Sequence, residues 1–188
     1  MIGREAELER LENLYKSNQF EFLVMYGRRR VGKTTILQEF ASRHKVIFYS
    51  AQEKNDSLNL QDFSQAVQQT LDGHFIAPFP SWKEAFSYIT KKTQSSRTVL
   101  IIDEFPFMAG TNPSVKSILQ HEIDHEWSKK EILLILCGSS VSFMVNQIMG
   151  YESPLYGRTT SVMEILPFDY LDSGKFFPFY SNEEKLTA

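Results

Sequence analysis

The chain has 188 residues, 42% of them hydrophobic and 23% charged, enough apolar material for one substantial core and a single domain as the default. Its 20 Lys+Arg against 23 Asp+Glu leave a net charge of −3, so charge alone gives no reason for nucleic acid to be an obligatory partner. The longest apolar runs are too short to cross a bilayer, and the opening Met1-Ile2-Gly3-Arg4-Glu5 carries no secretory pattern, so the expected address is the cytoplasm, with no membrane partner. A single cysteine, Cys137, excludes an internal disulfide; inside an apolar run it is expected as a small core residue with no catalytic role.

In chain order, residues 5–15 carry Leu8, Leu11 and Leu14/Tyr15 at helical spacing and predict an amphipathic helix. The apolar run 22–26 predicts a strand, and residues 35–40 open a helix after the loop that follows it. Further strands are expected at 46–49, 99–102 and 132–137, with a more broken one at 162–166. Helices are expected at 58–71, 82–92, 115–127 and 141–149, with turns at Asp72-Gly73, 78–81 and Asn112-Pro113. Strands that alternate with helices and are apolar on both faces imply an α/β fold with a parallel sheet covered on each side. No internal repeat or low-complexity tract is visible, and residues 175–188 read as a polar helix-like stretch.

Between the first strand and its helix stands Gly27-Arg28-Arg29-Arg30-Val31-Gly32-Lys33-Thr34, the pattern G-x-x-x-x-G-K-T in the context it requires. The two glycines let the backbone wrap a phosphate chain with its N–H groups inward, at the positive end of the helix that contains Thr35. Lys33 would reach the outer phosphates and Thr34 would ligate a magnesium ion bridging them. Arg28, Arg29 and Arg30 add positive field there or touch a partner; exposed loop side chains are the simpler account. The run ending Ile102-Asp103-Glu104 puts Asp103 at the carboxyl end of a buried strand, where it would hold the magnesium shell, with Glu104 placed to polarise an attacking water. Neither a D-x-x-G nor an N-K-x-D guanine reader occurs, so adenine is expected over guanine. In Cys137-Gly138-Ser139-Ser140 a hydroxyl would contact the terminal phosphate or the water, or cap the following helix; both serines stay candidates.

These motifs resemble, in order and over nearly the whole chain, the archaeal/bacterial ATPase family. They comprise Ile2-Gly3-Arg4-Glu5-x-Glu7, the glycine-rich loop, Ile101-Ile102-Asp103-Glu104-Phe105-Pro106, Cys137-Gly138-Ser139-Ser140, Pro154-Leu155-Tyr156-Gly157-Arg158 and Leu166-Pro167-Phe168. That family belongs to the AAA+-like P-loop ATPases, related to STAND signalling and origin-recognition ATPases. The resemblance implies a three-layer P-loop NTPase core of AAA+/ASCE type, with a mainly parallel five-stranded sheet and the catalytic strand between the P-loop strand and the sensor strand. It implies adenine near Ile2-Gly3-Arg4, Ser139 or Ser140 as sensor, and Arg158 as a finger for a second copy's γ-phosphate. The alternative for Arg158 is a surface arginine paired with a nearby carboxylate. Relatives continue into a helical lid and effector regions, and residues 1–188 read as the ATPase core without them.

A competing motif, His121-Glu122-Ile123-Asp124-His125, matches H-E-x-x-H, the pattern of a helical zinc peptidase site. No histidine follows to complete it, and the pair flanks the apolar stripe of Val115, Leu119, Ile123 and Trp127, so a polar helix flank is the preferred reading. The aromatic-rich segments 75–82 and 176–180 are expected mostly to pack in the core, and His44 and His74 give no signal. The reading that results is an ATP/ADP-binding domain hydrolysing Mg-ATP and switching a partner or a further domain. The alternatives are a non-hydrolysing nucleotide switch and, remotely, the zinc peptidase; nucleic acid enters by family analogy alone.

Overall fold

The computed structural model describes residues 3–93 and 97–168; Ile2 and the expected features at 175–188 lie outside them. The 2-residue period of the apolar runs and the 3.6-residue period of the segments between them generate the architecture. Helix α1 (Glu5–Lys16) precedes β1 (Glu21–Tyr26), α2 (Lys33–Ala41) and β2 (Val46–Ser50). Two helices, α3 (Asp56–Asp72) and α4 (Trp82–Lys92), lead to β3 (Thr98–Asp103), then α5 (Phe105–Thr111) and α6 (Val115–His125). Strand β4 (Ile132–Gly138), a short α7 (Val141–Phe143) and β5 (Ser161–Glu164) follow. Where one helix was expected over 141–149, a single α-turn widens into a π-helical segment, Met144–Ile148. Where one was expected to reach residue 127, α6 stops at His125 and a 3₁₀ turn, Trp127–Lys129, follows.

Among the described residues all four strand pairings are parallel, in the order β2-β3-β4-β1-β5. This corrects one expectation: β4, the strand that leads to Ser139, lies between β1, which leads into the glycine-rich loop, and β3, which ends at Asp103. β1, β3 and β4 are each buried along all or nearly all of their length, so residues apolar on both faces mark all three as interior strands and leave the order among them to tertiary packing. The edge strand β5 instead alternates buried and exposed residues.

Alternation along the strands builds two cores. Phe22 and Val24 of β1, with Leu100 and Ile102 of β3 and Leu134 and Leu136 of β4, pack under α3, α4, α5 and α6. Leu23 and Met25, with Val99, Ile101, Leu133 and Ile135, pack under α1 and α2 through Leu8, Leu11, Ile36, Leu37 and Phe40. The result is a three-layer α/β fold. Helix α3 is capped by Asn55, whose side chain accepts from the Leu58 amide, and ends at Gly73 in the left-handed conformation; α4 is capped by Ser81. No helix among the described residues is long and apolar enough to cross a membrane.

At the opposite end of the sheet from the glycine-rich loop, Thr160 ties β5 to β1. Its amide donates to the Phe22 carbonyl at 2.9 Å, its hydroxyl oxygen accepts from the Phe22 amide at 2.9 Å, and the hydroxyl contacts the buried Glu21 carboxylate. Burial raises the Glu21 carboxyl, but the hydrogen bonds from Thr160 and Gln19 outweigh it, and the group lies below its ordinary value. A carboxyl depressed in the folded state contributes stability that is present above its unfolded pKa and lost as pH falls through the folded one. Melting midpoints taken by circular dichroism from pH 7 to pH 3 should therefore fall. Glu21→Gln should destabilise the fold at pH 7 by about 1 kcal/mol, seen as a lower midpoint, and flatten the acid slope; an unchanged slope would remove Glu21 from the pH dependence.

Candidate functional site

The carboxyl ends of β1, β3 and β4 meet at one edge of the sheet, and the loop after β1 closes over them. Backbone constraints shape that loop. A Cβ on Gly27 would lie 2.2 Å from the Ile165 carbonyl oxygen, so only glycine lets β1 turn out against the segment after β5. Gly32, at φ 92°, is the left-handed N-cap residue of α2, and Arg30 also has positive φ, 67°. Val31 is buried in the core beneath α1 and α2.

Lys33 is the first residue of α2 and is buried; its Nζ donates to the Gly27 and Arg28 carbonyls, both at 2.8 Å, so the loop is laced to its own lysine. The Thr34 hydroxyl donates to Asp103 Oδ2 at 2.7 Å. Asp103, 1% exposed, also accepts the Glu104 amide on Oδ1 at 3.0 Å. Burial and the adjacent Asp103 carboxylate push the Cys137 thiol well up, so Cys137 is a neutral core residue behind the site.

Glu104 has left-handed backbone, φ 50° and ψ 41°, a conformation that costs a non-glycine residue about 1 kcal/mol. It turns the chain from β3 into α5 and faces Ser139, whose amide donates to Oε2 at 3.2 Å and whose hydroxyl donates to Oε1. Gly138 makes this approach possible: a Cβ there would lie 2.7 Å from Met144 Sδ and 2.9 Å from the Pro106 ring. A cavity of about 290 Å³ brings together Arg29, Arg30, Gly32, Lys33, Thr34, Thr35, Glu104 and Ser139.

The remaining candidates lie elsewhere. Ser140 is exposed at the start of α7, makes no side-chain capping bond and does not line the cavity. Arg28 is exposed outside it. Arg158 donates from Nε and Nη2 to the two carboxylate oxygens of Asp124, each at 2.7 Å, which is the carboxylate pairing kept open as its alternative. Hydrogen bonding to Arg158 holds the Asp124 carboxyl below its ordinary value. Gly3 has φ 70°. Arg4 is 4% exposed and spans to the Val31 carbonyl at 2.9 Å and the Leu166 carbonyl at 2.7 Å, with Glu7 at 2.8 Å and its guanidinium 4.1 Å from the Phe168 ring centre. That clasp between the opening segment, the loop and the segment after β5 has no local sequence signal. In the H-E-x-x-H stretch, His121 and His125 are exposed while Glu122 is buried and accepts from the Thr90 hydroxyl at 2.9 Å. The glutamate is spent in the core, and among the described residues no group of three or more His, Cys, Asp or Glu is placed to hold a metal.

A glycine-rich loop leading into a helix, beside a parallel sheet of this order, defines a P-loop ATPase fold. The chain belongs to the family of ATPase domains found predominantly in Archaea, whose sequence model matches residues 1–187. An uncharacterised protein of Methanocaldococcus jannaschii is 34% identical over 177 residues, covering 94% of this chain and 38% of that protein. An uncharacterised ATP-binding protein of the same organism is 40% identical over 45 residues, 24% of this chain and 76% of its own length. Among solved structures, the Walker-type ATPase of Pyrococcus abyssi superposes with a TM-score of 0.70 at 20% identity, over 95% of this chain and 57% of its own. The Aeropyrum pernix ORC2 protein, in complexes with ADPNP and ADP, gives 0.66 at 13% identity, over 95% and 51%. The same organism's ORC1 protein, in complex with DNA, gives 0.60 at 17%, over 100% and 50%. The chain thus spans well under half of its first curated relative and about half of these structures, so the likeness to the structures shows the fold.

Gly27→Ala should destabilise the domain by about 1–3 kcal/mol, read as a lower denaturant midpoint at unchanged slope. Gly110→Ala, within α5 and with open space at its Cβ, should not destabilise it. Equal midpoints for the two variants would mean that the loop does not pass against Ile165 as described.

Proposed function

We propose that this domain binds Mg-ATP in the cavity under the glycine-rich loop and hydrolyses it to ADP and phosphate, using the cycle to switch a partner or a further region of the protein. The observation that carries the reading is the convergence on one cavity of Lys33, Thr34, Glu104 and Ser139, with Asp103 behind Thr34. The Thr34 hydroxyl and the Asp103 carboxylate are adjacent hard oxygen donors and suit magnesium, which they would hold directly and through water. Held there, magnesium would supply charge neutralisation on the phosphates.

The chain's own groups do the rest. The Lys33 ammonium, now on two loop carbonyls, exchanges them for the outer phosphates when these enter the loop. Glu104 accepts the proton of the water that attacks the terminal phosphorus, as the bond to the β–γ bridging oxygen breaks. Ser139, which holds both carboxylate oxygens of Glu104, is the positioning residue and the sensor; the cavity favours it over Ser140. Adenine is assigned to the side of the loop near Arg4, and a cytoplasmic setting accords with this chemistry. DNA, present with the ORC1 protein, is carried to this chain only as an analogy of fold.

The second reading is a nucleotide-held switch with negligible turnover. It is favoured by one observation: both Glu104 oxygens are already engaged by Ser139.

Titration with labelled ATP and a phosphate-release assay decide between them. Lys33→Ala should abolish binding. Glu104→Gln should keep ATP affinity and lower phosphate release by about 10²-fold or more. Ser139→Ala should lower kcat with little change in KM. Binding without release in the unmodified chain would select the switch.

A further inference from the structure

We infer that Arg29 and Arg30 read the terminal phosphate of the nucleotide from within the same chain, so that distinguishing ATP from ADP does not need an arginine from a second copy. The inference rests on the nucleotide-site reading above and adds to it the groups that confer the selectivity.

The argument is an accounting of cations around the loop. Arg4 is buried and committed to two backbone carbonyls and Glu7. Lys33 is committed to the loop. Arg158 is committed to Asp124 and does not line the cavity. Arg29 and Arg30 are exposed, line the cavity, and have no hydrogen bond or ion pair among the described residues. Arg28, their neighbour, does not line it.

The cavity has a direction. Lys33 and Thr34 mark the loop and helix end, whereas Glu104 and Ser139 mark the place where a water would meet the terminal phosphorus. Glu104 is a carboxylate on the wall of that cavity and repels an anion, and Arg29 and Arg30 line the same cavity. ATP brings one more negative charge than ADP into this cavity, and the two guanidiniums that line it offset that charge. A guanidinium can bond two phosphate oxygens at once, which favours a terminal phosphate over a bridging one. The backbone agrees: Arg30 keeps a positive φ, where glycine would be relaxed, and carries a side chain to the cavity at a cost in strain.

The test compares affinities for Mg-ADP and for the non-hydrolysable analogue Mg-AMPPNP by isothermal calorimetry. The unmodified chain should prefer AMPPNP. The Arg29→Ala/Arg30→Ala double variant should lose about tenfold or more of its AMPPNP affinity while ADP affinity changes much less. Arg30→Gly, which also relaxes the backbone, should show the loss as well, and Arg43→Ala, on the far end of α2's following turn, should change neither affinity. A double variant that keeps its preference overturns the inference, as does a preference that grows with protein concentration and vanishes in Arg158→Ala. If the unmodified chain binds neither nucleotide, the nucleotide-site reading itself fails and the inference falls with it, an outcome distinct from binding with an unchanged preference.

Discussion

The hydrogen bond from Thr34 to Asp103 is the constraint on which the site depends, because it joins elements that are not neighbours in the sheet. Thr34 stands in the first turn of the helix after β1, and Asp103 ends β3; β4 runs between those strands. The bond can form only if three strands finish at matching heights. Their register arranges this: Tyr26 is opposite Gly138, and Ile102 is opposite Leu136. One residue further along, Asp103 comes level with Cys137, consistent with the thiol's response to its carboxylate. The buried apolar alternation of β4 therefore fixes more than the core. It brings a loop, a carboxylate and Ser139 to one edge.

Close approach and strain refine that placement. Gly27 and Gly138 occupy positions where a methyl group would meet backbone or packed side chain within 3 Å. Glu104 accepts a left-handed backbone because the chain must leave β3 and enter α5 in a single residue. The strain is held in place by surroundings that over-determine it: the Glu104 amide on Asp103, two donors from Ser139 on its carboxylate, and Pro106 wedged at Gly138.

What could be read from the sequence follows from how local each signal is. The loop, Asp103 and the strands are written in contiguous residues, and helix α4 falls on its expected limits, 82–92. Helix α5 was not visible, since its seven residues include Pro106 and Gly110 and are too few for a period. The order of strands was not visible either, because β1, β3 and β4 are all apolar on both faces, and that pattern does not say which of them lies between the other two. The division between Ser139 and Ser140 depends on which of two adjacent residues faces back over the sheet. Arg4 joins Val31 and Leu166 across 27 and 162 residues, distances over which no pattern reaches.

The H-E-x-x-H stretch shows the same limit from the other side. On a helix, Glu122 and Asp124 are about 200° apart, so whichever face carries Leu119 and Ile123 draws one carboxylate inward and leaves the other outside. Glu122 went inward, onto a hydroxyl that also accepts the Trp127 indole N–H at 2.7 Å. Asp124 went outward and captured Arg158. The spacing that imitates a metal site thus serves to pin α6 to α4 on one side and to the segment before β5 on the other. An exposed pair such as Asp124–Arg158 adds about 1 kcal/mol or less, so its importance lies in position rather than strength. It holds one arginine away from the cavity under the glycine-rich loop while two others, without partners among the described residues, stand at its wall.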